Sequence, residues 1–280
     1  MSMEKIQQQL TQLYVDHAVY CAPSGYRSWD RLTGGLARSG LTLIGGRPAM
    51  GKTSLAFNIV SRVSQKTEGT ILIFSPVHRE SDVCTWLLQI GMGMHTGRLF
   101  DGSLTPAEAT ERCNALFTAQ KSRIRVINIT YLTLNNIYEI CRRTPNLQMV
   151  VVDNIESIIE PIHYDDWNTN TFTQKEPLKQ VLRALKKLAW HYDIPVVCTV
   201  NMHRSLEKRK NKRPKLQDLE KIQIPADLAD QVVFLYRDSY YCYESDNTAE
   251  CIIARTPYGQ TGTVSLQWYP VTGEFTEPED

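Results

Sequence analysis

Residues Ile44 to Phe57 read "IGGRPAMGKTSLAF", and they constrain the fold more than any other part of the chain. Gly46 is followed by four residues and then by Gly51-Lys52-Thr53, the G-x-x-x-x-G-K-[ST] spacing of a phosphate-binding loop. The apolar run "LTLIGG" (41–46) reads as a strand leading into the loop, and "KTSLAFNIVSRVSQ" (52–65) as a helix leaving it. That context is what the chemistry needs. The loop Gly46-Arg47-Pro48-Ala49-Met50-Gly51 curls so that backbone N–H groups face a phosphate, and Lys52, Thr53 and Ser54 open a helix whose dipole favours an anion. Lys52 is expected to neutralise the β- and γ-phosphates of ATP, and the Thr53 hydroxyl to face Mg²⁺. The bland alternative is a glycine turn that happens to precede Lys-Thr.

The rest of the chain alternates apolar strands with amphipathic helices. Strands are expected at 70–75, 124–129, 147–154 and 194–200, and helices near 80–94, 105–121, 133–143 and 174–192. This pattern implies an α/β fold with a mostly parallel sheet flanked by helices. The runs 231–237, 250–255 and 262–269 follow one another without helices, so an antiparallel edge extension is expected. Residues 3–19 read as an amphipathic helix, 22–40 as turn-rich, and 271–280 as an acidic tail with no core residues. Asp153 ends the apolar run "MVVVD", where a carboxylate suits direct or indirect contact with Mg²⁺; a turn cap after a strand is the alternative.

Net charge is +1, so any nucleic-acid footprint must be local. The basic run "RSLEKRKNKRPK" (204–215) is the place for it, and a solvated charged loop is its simpler reading. Seven cysteines, an odd number without a C-x-x-C pair, fit free thiols in a reducing compartment. No apolar run approaches ~20 residues, so no membrane partner is expected and the location is expected to be cytoplasmic.

Seven segments carry a resemblance. "PSGYRSWDRLTGGL", "GGRPAMGKTSLAFNIV", "VVVDNIE", "LKQVLRALKKLAWHYDIPVV", "RSLEKRKNKRPKLQDL", "ADLADQVVFLYRDSYY" and "GQTGTVSLQW" occur in that order. Together they resemble the C-terminal motor domain of DnaB-type replicative DNA helicases over about 20–270. The resemblance implies a RecA-like P-loop NTPase domain over 21–270, preceded by a linker-like helix over 1–20. It further implies a homo-oligomer, in the family a hexameric ring around single-stranded DNA, working with other replication proteins. The family's primase-contacting N-terminal domain is not expected here, since only residues 1–20 precede the match. Arg204, Lys208, Arg209, Lys210 and Lys221 become candidate DNA contacts.

Several family positions are altered. Where the family has a water-polarising glutamate in Phe-Ser-Leu-Glu, this chain has "FSPV", with Val77. Loss of a general base costs ~10²–10⁴ in rate. Where the family has an arginine reaching into the neighbour's ATP site, this chain has Pro257, with Arg255 keeping a nearby positive charge. Such arginines contribute ~10³–10⁵. The γ-phosphate-sensing glutamine is replaced by Asn201, shorter by one methylene, and the DNA loop reads "LEKIQ" (219–223), without the family's glycine and arginine. Lys52, Asp153, Asn201 and Arg255 therefore make up the expected catalytic set. The expectation is an ATP-binding helicase-type domain with weakened hydrolysis. A nucleotide-binding ring or regulatory subunit that does not hydrolyse is the alternative. A recombinase-like filament ATPase fits less well, because "RPKLQDL" and "ADLADQVVFLYRD" look helicase-specific.

Overall fold

The computed structural model describes residues 21–278 except 95, 100–104, 109, 112–113, 115–122, 161–173, 176–177 and 243–244. The helix expected over 3–19 lies outside the described residues, and so does most of the one expected over 105–121.

The segment expected to be turn-rich contains a helix. Strand β1 (Cys21–Ala22) pairs antiparallel with β2 (Leu36–Ala37), and α1 (Arg27–Thr33) lies between them. Two aromatic anchors explain the helix: Tyr26 and Trp29 are fully buried. Gly34 ends it at φ 85°, a left-handed turn that returns its N–H to the Asp30 carbonyl.

Next come β3 (Leu41–Gly46), α2 (Lys52–Ser64), β4 (Thr70–Phe74), α3 (Glu80–Met92), β5 (Arg123–Ile127), α4 (Leu134–Arg142) and β6 (Leu147–Val152). They are followed by β7 (Ile159–Glu160), β8 (Gln174–Lys175), α5 (Leu178–Tyr192), β9 (Val196–Asn201), β10 (Gln231–Arg237), β11 (Thr248–Arg255), β12 (Gly262–Tyr269) and β13 (Glu274–Thr276). The helix expected from 174 starts at Leu178, and Gln174 and Lys175 pair with β7 instead.

Nine strands form one sheet in the order β13-β12-β11-β10-β3-β9-β6-β4-β5. The pairs from β10 to β5 are parallel; β10-β11, β11-β12 and β12-β13 are antiparallel. The expected α/β architecture with an antiparallel edge is therefore present. Successive side chains of a strand point to opposite faces, and here both faces are covered. Ile44, Val151 and Val197 join a core with α1, α2 and α3, whereas Leu43, Val152 and Cys198 join a second core with α4 and α5. Double burial is why these strands read as unbroken apolar runs.

The expected tail without core residues is corrected. Glu274–Thr276 form β13 on the edge of β12, and Phe275 is fully buried. Its ring packs on Trp268 with centroids 4.4 Å apart. Its N–H donates to Asn58 Oδ1 at 3.1 Å, and its carbonyl accepts from Arg62 at 2.9 Å and from the Tyr26 hydroxyl at 3.2 Å. One apolar residue among acidic neighbours gives no strand periodicity, so only pairing with β12 reveals it.

Phe275→Ala is expected to destabilise the fold by ~3–5 kcal/mol, as large-to-small changes of buried aromatics do, and to lower the urea midpoint followed by circular dichroism.

Candidate nucleotide site

The parallel strands deliver their C-terminal ends to one edge of the sheet, where ligands of open α/β sheets bind. Gly46 ends β3, Asn201 ends β9 as its direct register partner, and Arg237 ends β10. Asp153 follows the last residue of β6.

The loop leaving β3 is held in an unusual path. Gly51 has φ 102°, and a Cβ there would stand 3.0 Å from Phe275 Cζ, so both backbone and space demand glycine. Ala49 is also left-handed, at φ 60°. Arg237 braces these two turns from the next strand: Nε donates to the Met50 carbonyl and Nη2 to the Ala49 carbonyl, both at 2.9 Å. The Arg237 guanidinium in turn lies over the Trp268 ring.

Lys52 is only 7% exposed. Its ammonium donates to the Arg47 carbonyl at 3.0 Å, which leaves it inside the loop it is expected to serve. Burial pulls its pKa down to about 8; the charges of Glu156 and Asp153 oppose that shift, and Arg47 adds to it. A buried cation short of compensation is the local condition that favours an anionic ligand.

Thr53 and Asp153, the two expected metal contacts, stand side by side. Thr53 Oγ1 donates to Asp153 Oδ1 at 3.0 Å, and Thr199 Oγ1 donates to the same oxygen at 2.5 Å. Asp153 is 3% exposed, and His78 Nε2 lies 3.8 Å from its other oxygen. Among the described residues no group of three or more His, Cys, Asp or Glu could hold a metal by itself. One hydroxyl and one carboxylate side by side suit Mg²⁺, which takes few protein ligands and completes its shell with water and substrate phosphates. A cleft of about 550 Å³ adjoins Thr53, lined by Ser54, His78, Trp86, Trp268 and Gly273.

Other expected residues are not all brought together. Asn201 sits beside the loop, and its backbone N–H donates to Glu156 Oε1 at 2.6 Å. Arg255 lies at the opposite end of the sheet, since it pairs with Val232 near the start of β10, far from Arg237. It contributes nothing to the Lys52 site of its own chain. Val77 is 60% exposed. Within the basic loop, Arg209 is held by Asp218 at 3.0 Å and by the Arg213 carbonyl at 2.7 Å, and Lys221 lies 3.4 Å from Asp218. Arg204, Lys208 and Lys210 are exposed.

Four residues near the site escape sequence reasoning: His78, Glu156, Thr199 and Arg237. A carboxylate three residues after Asp153 and an arginine ending an apolar strand were visible signals; Thr199 in "VVCTV" and His78 were not. Arg47 is a further finding, because it links the loop to Glu207 at 2.8 Å and to the Met202 carbonyl at 2.7 Å.

Comparison with known proteins places the fold and the family. The chain is 30% identical over 262 residues to the replicative DNA helicase DnaB of Geobacillus stearothermophilus, covering 92% of this chain and 56% of that protein. The chain thus spans about half the length of the curated relatives it matches. The solved ATPase domain of G40P superimposes with a TM-score of 0.80 at 27% identity, covering 98% of this chain and 99% of that one. The structure of a DnaB-like replicative helicase, described with its interactions with primase, gives a TM-score of 0.79 at 26% identity, covering 100% of this chain and 67% of that one. The sheet is RecA-like. A family model described as the DnaB-like helicase C-terminal domain matches residues 22–277, and the chain belongs to that family.

Proposed function

We propose that the chain binds ATP with Mg²⁺ and acts as a DnaB-type motor domain in DNA replication, with weakened hydrolysis. The observation that carries this reading is the buried Lys52 ammonium beside the paired Thr53 and Asp153. Lys52 and the loop from Gly46 to Ser54 hold the phosphates, and Thr53 and Asp153 hold Mg²⁺, which supplies charge neutralisation when bound. Asn201, beside Gly46, reads the γ-phosphate.

Arg255 serves a neighbouring subunit, because it lies at the far end of the sheet from its own Lys52. That role requires a homo-oligomer, a hexameric ring in this reading. Exposed Arg204, Lys208 and Lys210 contact single-stranded DNA, while Arg209 and Lys221 shape the loop through Asp218. The working place is the cytoplasm; no helix among the described residues is long and apolar enough to cross a membrane, and the six described cysteines are free thiols.

A second reading is a ring or regulatory subunit that binds nucleotide without turning it over. The exposed Val77 favours it, because an isopropyl group neither orients water nor accepts a proton.

Three measurements test the reading. Lys52→Ala is expected to remove most ATP affinity in isothermal titration; no ATP binding by the unmutated chain would refute the site. Arg237→Ala, which frees the Ala49 and Met50 carbonyls without touching nucleotide, is expected to weaken ATP binding by roughly tenfold, the worth of a charge-assisted hydrogen bond. Steady-state ATPase rates, with and without single-stranded DNA, are expected to be low and to rise only in part in Val77→Glu. Fast, DNA-stimulated turnover by the unmutated chain would contradict the role given to Val77.

A further inference from the structure

Val77 brings no carboxylate to the loop, yet another element does. Glu156 lies in the short 3-10 turn Ile155–Ser157 that follows Asp153. Three observations aim its carboxylate at the phosphate end of the site. Oε1 accepts the backbone N–H of Asn201, the residue in register with Gly46. Its charge acts on the Lys52 ammonium, and that of Lys52 acts on it. Oε2 is shut off from solvent and has no hydrogen-bond partner among the described residues. Buried polar oxygens are nearly always satisfied, so one left open beside a phosphate-binding lysine calls for a ligand.

We propose that Glu156 is the carboxylate that orients the attacking water and accepts its proton, in place of the side chain that Val77 cannot supply. The inference rests on the reading that this site holds ATP. In the step, the water oxygen bonds to the γ-phosphorus and the bond from that phosphorus to the β,γ-bridging oxygen breaks. The bridging oxygen leaves with the electron pair on ADP, inorganic phosphate forms, and the water proton passes to Glu156 Oε2. The environment suits a proton acceptor. Burial raises the Glu156 pKa, while the Asn201 N–H and the Lys52 charge hold part of that rise back. The competing role is a plain counterion for Lys52. A counterion acts on every nucleotide alike, whereas a base acts only where the water is attacking.

The test compares the full chain with Glu156→Gln, which keeps size and a carbonyl acceptor but takes up no proton. Three quantities are measured: affinity for ADP and for a non-hydrolysable imido triphosphate, retention of ADP with fluoroaluminate, and single-turnover hydrolysis. The Gln variant is expected to bind ADP and the imido analogue within about threefold of the unmutated chain. It is expected to lose about tenfold or more in fluoroaluminate complex retention and about a hundredfold or more in hydrolysis. Hydrolysis unchanged within about threefold, an equal loss of affinity for all ligands, or an unmutated chain that binds ATP and never turns it over would each overturn the role of Glu156 alone. Failure of the unmutated chain to bind any nucleotide would instead overturn the ATP site, and this inference with it. Should the Gln variant not fold, Glu156→Asp decides: retained binding with reduced turnover supports the base, and unchanged turnover overturns it.

Discussion

A lysine ammonium held under a loop is the constraint on which the site depends. Moving a charge out of water costs several kcal/mol unless it is compensated. Lys52 has one carbonyl, that of Arg47, and the charges of Glu156 and Asp153 around it. Those partners come from β3, β6 and the turn after β6, so the compensation exists only when the parallel strands stand in their observed order. Folding therefore creates a cation whose balance a bound polyphosphate would complete.

The loop around that cation is braced from the antiparallel half of the sheet. Arg237 caps the carbonyls of Ala49 and Met50, Trp268 packs against Arg237, and Phe275 closes the space that a side chain at Gly51 would need. The edge strands β12 and β13 thus shape the phosphate loop across the sheet. Left-handed backbone at Ala49 and Gly51 is sustained by these contacts, since such conformations persist only where surroundings fix them.

The same loop is tied to the basic segment after β9. Arg47 bonds Met202 and Glu207, and Glu207 lies among the residues proposed to meet DNA. A ligand that moves Arg47 would be felt at Glu207, because one ion pair spans the two. The altered positions fall outside this frame: Val77 is exposed and Pro257 lies beyond the end of β11.

Much of the fold is legible because burial imposes it on composition. Strands covered on both faces must be apolar throughout, and β3 and β10 end where their runs end. The glycine spacing and Asp153 are legible for a similar reason: a phosphate loop tolerates few residue types at its turns. The strand at Phe275 and the helix at Trp29 are not, since each depends on partners distant in the chain. Local sequence by itself determined the α/β alternation and the glycine loop, because these follow from periodicity and from backbone sterics, while the family resemblance rests on the order of seven segments. Tertiary structure alone decided which charges act on Lys52, that Arg255 stands at the far end of its own sheet, and that Glu156 meets the backbone N–H of Asn201, because register and strand order, not sequence distance, set which side chains meet.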